Sequence, residues 1–147
     1  AIGRIATASR VPIAYGEHLY GTEHALDTLD AAPISVIQPD ASICGGIGEA
    51  QLMARSALGR GARVVMHLHG GPVTLAANAL VAASVAGVDV IEYPFHLSPA
   101  LRRVSPGAGF DVESIVDGTI AVPTGPGLGI DVDEDAIEAG RVAYLDA

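Results

Sequence analysis

The chain has no lysine and no tryptophan, a single cysteine, and only 4% aromatic residues in 147. Each shortage excludes something. A lone Cys44 cannot form an internal disulfide, and a cytoplasmic setting is expected. With no Trp and few rings, the core must be filled by Ala, Val, Ile and Leu, the usual filling of parallel α/β layers. All eight basic residues are Arg and stand against seventeen acidic ones, a net charge of −9. That balance argues against a nucleic-acid surface, which needs clustered cations to displace counterions, and equally against an anionic membrane. A small acidic substrate remains compatible, because a bound cation reverses the local field. The longest apolar stretch, Leu75 to Val88, is broken by Asn78 and Ser84 and is too short to span a bilayer. No signal peptide is recognisable, and residues 1–10 read as the tail of a helix, as if from the middle of a larger protein.

Four short apolar runs each end in an ionisable residue. They are Val11 to Glu17, Val36 to Asp40, Val64 to His67, and Val88 to Glu92. Near-continuous apolar runs are the mark of parallel strands covered by helices on both faces. The reading predicts strands at about 12–17, 35–40, 63–68 and 89–93. Between them lie helical patterns. Thr22 is a candidate N-cap, with Leu26, Leu29 and Ala32 on one apolar face and Pro33 as the stop. Gly45-Gly46 opens a second helix carrying Ile47, Ala50, Ala54, Ala57 and Leu58. Pro72 opens a third, apolar almost all round and so expected to be covered on more than one side. Strand alternating with helix predicts an α/β fold of parallel strands with right-handed crossovers. Four such units make about half of a TIM-like barrel, since a full one takes about 250 residues. After Pro94 the pattern dissolves into a Gly/Pro-rich segment with short β-like pieces at 119–122 and a last short helix at 133–139. Two regions are therefore expected: 1–94 as the half-barrel and 95–147 as a C-terminal extension.

In a barrel the active site lies at the carboxyl ends of the strands, which would bring Glu17, Asp40, His67 and Glu92 to one rim. Singly, each has an ordinary explanation: a solvated strand-end glutamate, a turn-opening aspartate, a packed histidine. Their coincidence on four successive strands favours chemistry. Asp40 beside His67 would fix the imidazole tautomer and raise its basicity. Glu17 offers a hard oxygen for Mg²⁺, and Glu92 would donate a hydrogen bond if burial kept it protonated. His69 competes with His67, being two residues further along the same strand. His67 is preferred because it directly ends the apolar run. His18, next to Glu17, and His69 are candidate substrate contacts. His24 and His96 read as surface groups and Cys44 as a small packing residue.

At these residues the chain resembles the C-terminal part of the enolase superfamily, in its mandelate racemase and acid-sugar dehydratase branch. The similar pieces are Pro12 to Glu17, Gln38-Pro39-Asp40 with Gly45-Gly46, His67 with Gly71-Pro72, Ile91 to Pro94, and Gly125 to Gly129, in order along nearly the whole chain. The resemblance implies a (β/α)7β barrel whose fifth to eighth strands lie here. It implies Glu17 as one of three Mg²⁺-ligating carboxylates, Asp40 and His67 as an acid/base dyad, and Glu92 as the group hydrogen-bonded to the enediolate. It implies abstraction of a proton α to the carboxylate of a sugar acid or hydroxy acid, with dehydration favoured over racemisation. In an intact enzyme the extension 95–147 would pack on the family's capping domain. That domain, the first four strands, two metal carboxylates and the lysine base are missing from this chain. The Mg²⁺ site is therefore expected to be incomplete and the isolated chain inactive, a homo-oligomer or a partner of a missing N-terminal half. The rival reading is a non-catalytic half-barrel that self-associates or complements such a half.

Overall fold

The computed structural model describes residues 1–95, 103–108, 110 and 112–140. Helix α1 (Ile2–Ala8) is followed by three βα units. These are β1 (Ala14–Tyr15) with α2 (Gly21–Ala31), β2 (Val36–Ile37) with α3 (Ile47–Gly59), and β3 (Arg63–Val64) with α4 (Pro72–Ser84). The strands are parallel in the order β1-β2-β3. A parallel bridge from Met66 to Ile91 adds a fourth strand position at residues 90–92. The expected α/β half-barrel is present, and its strands are shorter than the sequence reading.

Two side-chain effects end the strands early. Along the β2–β3 ladder the amides of Arg63, Val65 and His67 donate to the carbonyls of Ser35, Ile37 and Pro39. The return bond from residue 39 is impossible, because proline has no N–H. On the other side, Met66 N–H donates to Val90 O and Glu92 N–H to Met66 O, each at 3.0 Å. The next amide, that of Leu68, is taken by the Glu92 carboxylate (Oε2, 3.1 Å) instead of by the backbone. So the fourth strand, expected over 89–93, reduces to a bridge.

Successive crossovers lay α2, α3 and α4 side by side on one face of the sheet, α2 against α3 and α3 against α4. Under them Ile37, Met53, Ala54, Val64, Met66 and Val81 are almost fully buried. The opposite face, with Val36 and Val65 half-buried and Val90 exposed, carries no helix among the described residues. Helices on both faces were expected; in a curved sheet the concave face instead turns toward the barrel interior. α4 is covered on two sides, as its composition predicts. Val81 joins the main core, while Leu75 and Ala76 pack with Leu68 and Phe110 in a second cluster that also gathers Ile120, Leu128 and Ile130. Of the β-like pieces expected at 119–122, one antiparallel bridge, Val116 to Thr119, is formed. The last helix, α5 (Glu134–Ala139), is capped by the Asp133 carboxylate, which accepts from Ala136 N at 2.8 Å. Among the described residues no helix is long and apolar enough to cross a membrane.

The first turn of α2 corrects one expectation. The N-cap is Tyr20, and Thr22 lies inside the helix. Its amide (2.6 Å) and hydroxyl (2.7 Å) both donate to Glu49 Oε1 on α3, which lowers the Glu49 pKa. A carboxylate from the next helix thus does the work of a local cap. The buried face of α2 also runs through Ala25 rather than Leu26.

Gly16 decides where Glu17 points. Extending the register Ala14↔Val36, Tyr15↔Ile37 would put residue 17 beside Pro39, on the helix-covered face. Gly16 instead has φ 141°, and a Cβ there would lie 2.7 Å from Gln38 N. A left-handed backbone pressed against the next strand admits glycine alone, and it turns Glu17 to the concave side. Gly16→Ala is predicted to destabilise the chain by about 1–3 kcal/mol and to separate Glu17 from His67. Urea unfolding and loss of the Glu17–His67 proximity by NMR would check this.

Candidate active site

The register explains why the strand-end groups meet. With Ile37 opposite Val64 and Met66 opposite Ile91, Asp40, His67 and Glu92 fall in one row on the concave face, one strand apart. Gln38 lies one pleat below. Asp40 is 1% exposed and His67 8%. Asp40 Oδ2 lies 3.0 Å from His67 Nδ1. The other oxygen, Oδ1, accepts from Ser42 N (2.8 Å), Ser42 Oγ (2.7 Å) and Asn78 Nδ2 (3.2 Å). An acceptor-only partner at Nδ1 places the ring proton there. That leaves Nε2 at the mouth of the site, 3.4 Å from Glu17 Oε2 and 3.9 Å from Glu92 Oε2.

The structure therefore brings Glu17, Asp40, His67 and Glu92 together. Glu17 is open to solvent, with its side chain 60% exposed, and His18 Nε2 stands 3.6 Å from its Oε1. These two line a cavity of about 310 Å³ with Tyr15 and Gln38. A larger cavity, about 560 Å³ between α1 and α2, contains none of the four groups. His69 is exposed and forms no ion pair with the described carboxylates. His24 is exposed, as expected, and His96 lies outside the described residues.

Glu92 differs from its expectation. Its side chain is 40% exposed, so the deep burial that a donor role required is missing. Both oxygens accept: Oε1 from Gln38 Nε2 (2.6 Å) and Oε2 from Leu68 N. Gln38, Ser42 and Asn78 were not singled out as functional. Ser42 carries a readable signal, since an Asp-x-Ser segment forms the local turn in which the aspartate accepts from the residue two on. Gln38 and Asn78 act across 54 and 38 positions of sequence, and no local pattern announces that.

Magnesium, expected from the resemblance, does not fit what these residues offer by themselves. Glu17 is one hard oxygen donor, and among the described residues no group of three His, Cys, Asp or Glu side chains is arranged to hold a metal ion. Cys44 is buried, and burial together with the negative charges of Asp40 and Glu49 pushes its thiol up to about 11. It is a packing residue, as expected.

Burial alone would raise the Asp40 pKa. The hydrogen bonds from Ser42, Asn78 and His67 outweigh it and hold the carboxyl below its ordinary 3.8. A group depressed in the folded state contributes stability that is fully present above its unfolded pKa and is lost as pH falls through the lower folded value. Asp40→Asn is thus predicted to cost about 1–3 kcal/mol near pH 7. The gap from wild type should close progressively below about pH 4. Urea titrations across pH 2–7 would measure it; a gap independent of pH would contradict the assignment.

A family model described as Enolase C-terminal domain-like matches residues 1–136. The D-galactarolactone cycloisomerase of Agrobacterium fabrum is 30% identical over 146 residues, covering 97% of this chain and 39% of that protein. The D-galactonate dehydratase of Xanthomonas oryzae pv. oryzae is 30% identical over 144 residues, covering 92% and 36%. Among solved structures, a mandelate racemase/muconate lactonizing enzyme from Jannaschia sp. CCS1 superposes with a TM-score of 0.83 at 28% identity, over 98% of this chain and 36% of that one. A mandelate racemase/muconate lactonizing enzyme-like protein from Roseovarius sp. TM1035 gives 0.81 at 33% identity, over 94% and 33%. The chain thus spans less than two fifths of the length of these relatives. Fold and matches agree: the chain belongs to the enolase C-terminal domain-like family, within the mandelate racemase/enolase superfamily.

Proposed function

We propose that this chain carries the proton-delivering part of an acid-sugar dehydratase that works on a substrate with a hydrogen α to its carboxylate. The observation that carries the reading is the His67 ring: Nδ1 is anchored to a buried carboxylate, and Nε2 is turned to the open rim between Glu17 and Glu92. A ring held at one nitrogen by a buried carboxylate, with the other at the rim beside the solvent-open Glu17 and the half-exposed Glu92, is suited to moving a proton to or from a bound molecule. The printed names of the relatives above, a galactonate dehydratase and a galactarolactone cycloisomerase, support a sugar-acid substrate.

In the proposed reaction the α C–H bond breaks and its electron pair forms the enediolate. The C–O bond to the β-hydroxyl then breaks, and the pair leaves with oxygen. Protonated His67 delivers the Nε2 proton, so that the group departs as water. The resulting enol becomes a 2-keto-3-deoxy acid. The α-proton is taken by a base from outside these residues, since the chain has no lysine and His67 gives its proton to the leaving group. Glu92, braced by Gln38, is assigned to the enediolate as a protonated carboxyl, a state that needs the site to be covered by residues from beyond this chain. His18 and His69 are assigned to the substrate's polar groups at the rim. If magnesium takes part, Glu17 is the ligand this chain contributes, and the others come from beyond these residues. Among the described residues β1 and residues 90–92 pair with no further strand on their outer sides, and there strands from an N-terminal half or a second copy would close the barrel.

The test is turnover of a panel of aldonic and aldaric acids by the parent protein bearing this segment, with Mg²⁺ present. Formation of a 2-keto-3-deoxy acid is expected, and His67→Asn should reduce it by about 10²–10⁴-fold. The chain alone should turn over none of the panel. A parent inert toward every acid, or a His67→Asn variant within a few-fold of wild type, would overturn the reading. Exchange of the α-hydrogen with solvent deuterium but no loss of water would point to racemisation instead.

A further inference from the structure

The chain contains one asparagine, and it sits at the centre of α4, an apolar helix with no charged residue, with 0% exposure. A buried carboxamide in such surroundings is costly unless all its polar atoms are satisfied. Here they are. Asn78 Oδ1 accepts from Ala41 N at 2.9 Å, and Nδ2 donates to Asp40 Oδ1 at 3.2 Å and to His67 O at 2.9 Å. The orientation of the amide is fixed by these partners. A flipped group would set NH2 against an N–H and its oxygen against two acceptors.

We propose that Asn78 is the positioning residue of the Asp40–His67 pair. One side chain from α4 grips the carboxylate, the amide that follows it, and the backbone carbonyl of the histidine. With the two Ser42 donors it fills Oδ1. Oδ2 is thereby left to His67, and the carboxylate loses the freedom to rotate away. The same amide fixes the separation of the two strand ends, because it bonds residues 40–41 after β2 and residue 67 after β3. The helix that follows β3 thus holds the dyad in register, and through it the ring proton on Nδ1. Asn78 touches no substrate in this role; it acts through Asp40.

The functional meaning rests on the proposed role of His67, so the test reads the ring itself and not turnover. In the ¹⁵N NMR spectrum of the full chain, neutral His67 must be a single tautomer protonated at Nδ1; a mixture of tautomers in the unmutated chain overturns the proposal without any variant. Asn78→Leu, similar in size and without donors, is expected to lower the Nδ1–H to Nε2–H ratio by about tenfold or more. Val81→Ala, a core change on the same helix, should lower stability and leave that ratio unaltered. Should Asn78→Leu not fold, Asn78→Ser, with one donor and a shorter reach, replaces it with the same expected direction. A folded variant whose ratio stays within twofold of wild type overturns the proposal and reduces Asn78 to a structural tie. If that ratio holds but His67→Asn still abolishes turnover, the proposed function survives and the positioning role does not.

Discussion

The structure turns on a charge that is kept inside. Asp40 is 1% exposed, yet its pKa is lowered, because hydrogen bonds to the charged form outweigh the cost of burial. A buried carboxylate with one oxygen filled by Ser42 and Asn78 and the other left for a ring nitrogen does two things. It ties the ends of β2 and β3 together, and it assigns the His67 proton to Nδ1. Remove the carboxylate and the buried donors of Asn78 and His67 are left unpaired, while exposed Ser42 turns to water. The unpaired buried groups cost more than the pair itself contributes. The chemistry at Nε2 therefore depends on a stability feature at Nδ1.

The rest of the site is made where the sheet stops being regular. Pro39 withholds a donor, Glu92 captures the amide of Leu68, and Gly16 reverses the alternation of β1. Each ends a strand, and each leaves a functional group on the concave side. A longer and more regular ladder would carry Glu17 to the helix face and pair Leu68 with backbone, and the four groups would no longer share one mouth. Irregular strand ends are thus the means by which a row of parallel strands gathers its acids and its histidine.

How much of this was legible in the sequence follows from the range of each interaction. The order of strands and helices was readable because it rests on hydrophobic periodicity and on local stops such as Pro33. The meeting of Asp40, His67 and Glu92 was readable because parallel register places successive strand ends in one row. Strand lengths were not, since a carboxylate on residue 92 decides where residue 68 stops pairing. The start of α2 was misread because its cap comes from Glu49, 27 positions away. Asn78 was hidden by its own surroundings: in an apolar helix it looked like an interruption, and only the fold shows that it reaches two strand ends.

The central claim is that Asp40 and His67 act as one coupled, buried unit. A double-mutant cycle tests it most directly, with Asp40→Asn, His67→Gln and the double variant unfolded in urea at neutral pH. The account predicts a coupling energy of about 1–3 kcal/mol. Single effects that add to within about 0.3 kcal/mol would mean that the two side chains do not interact, and the site built on them would fall.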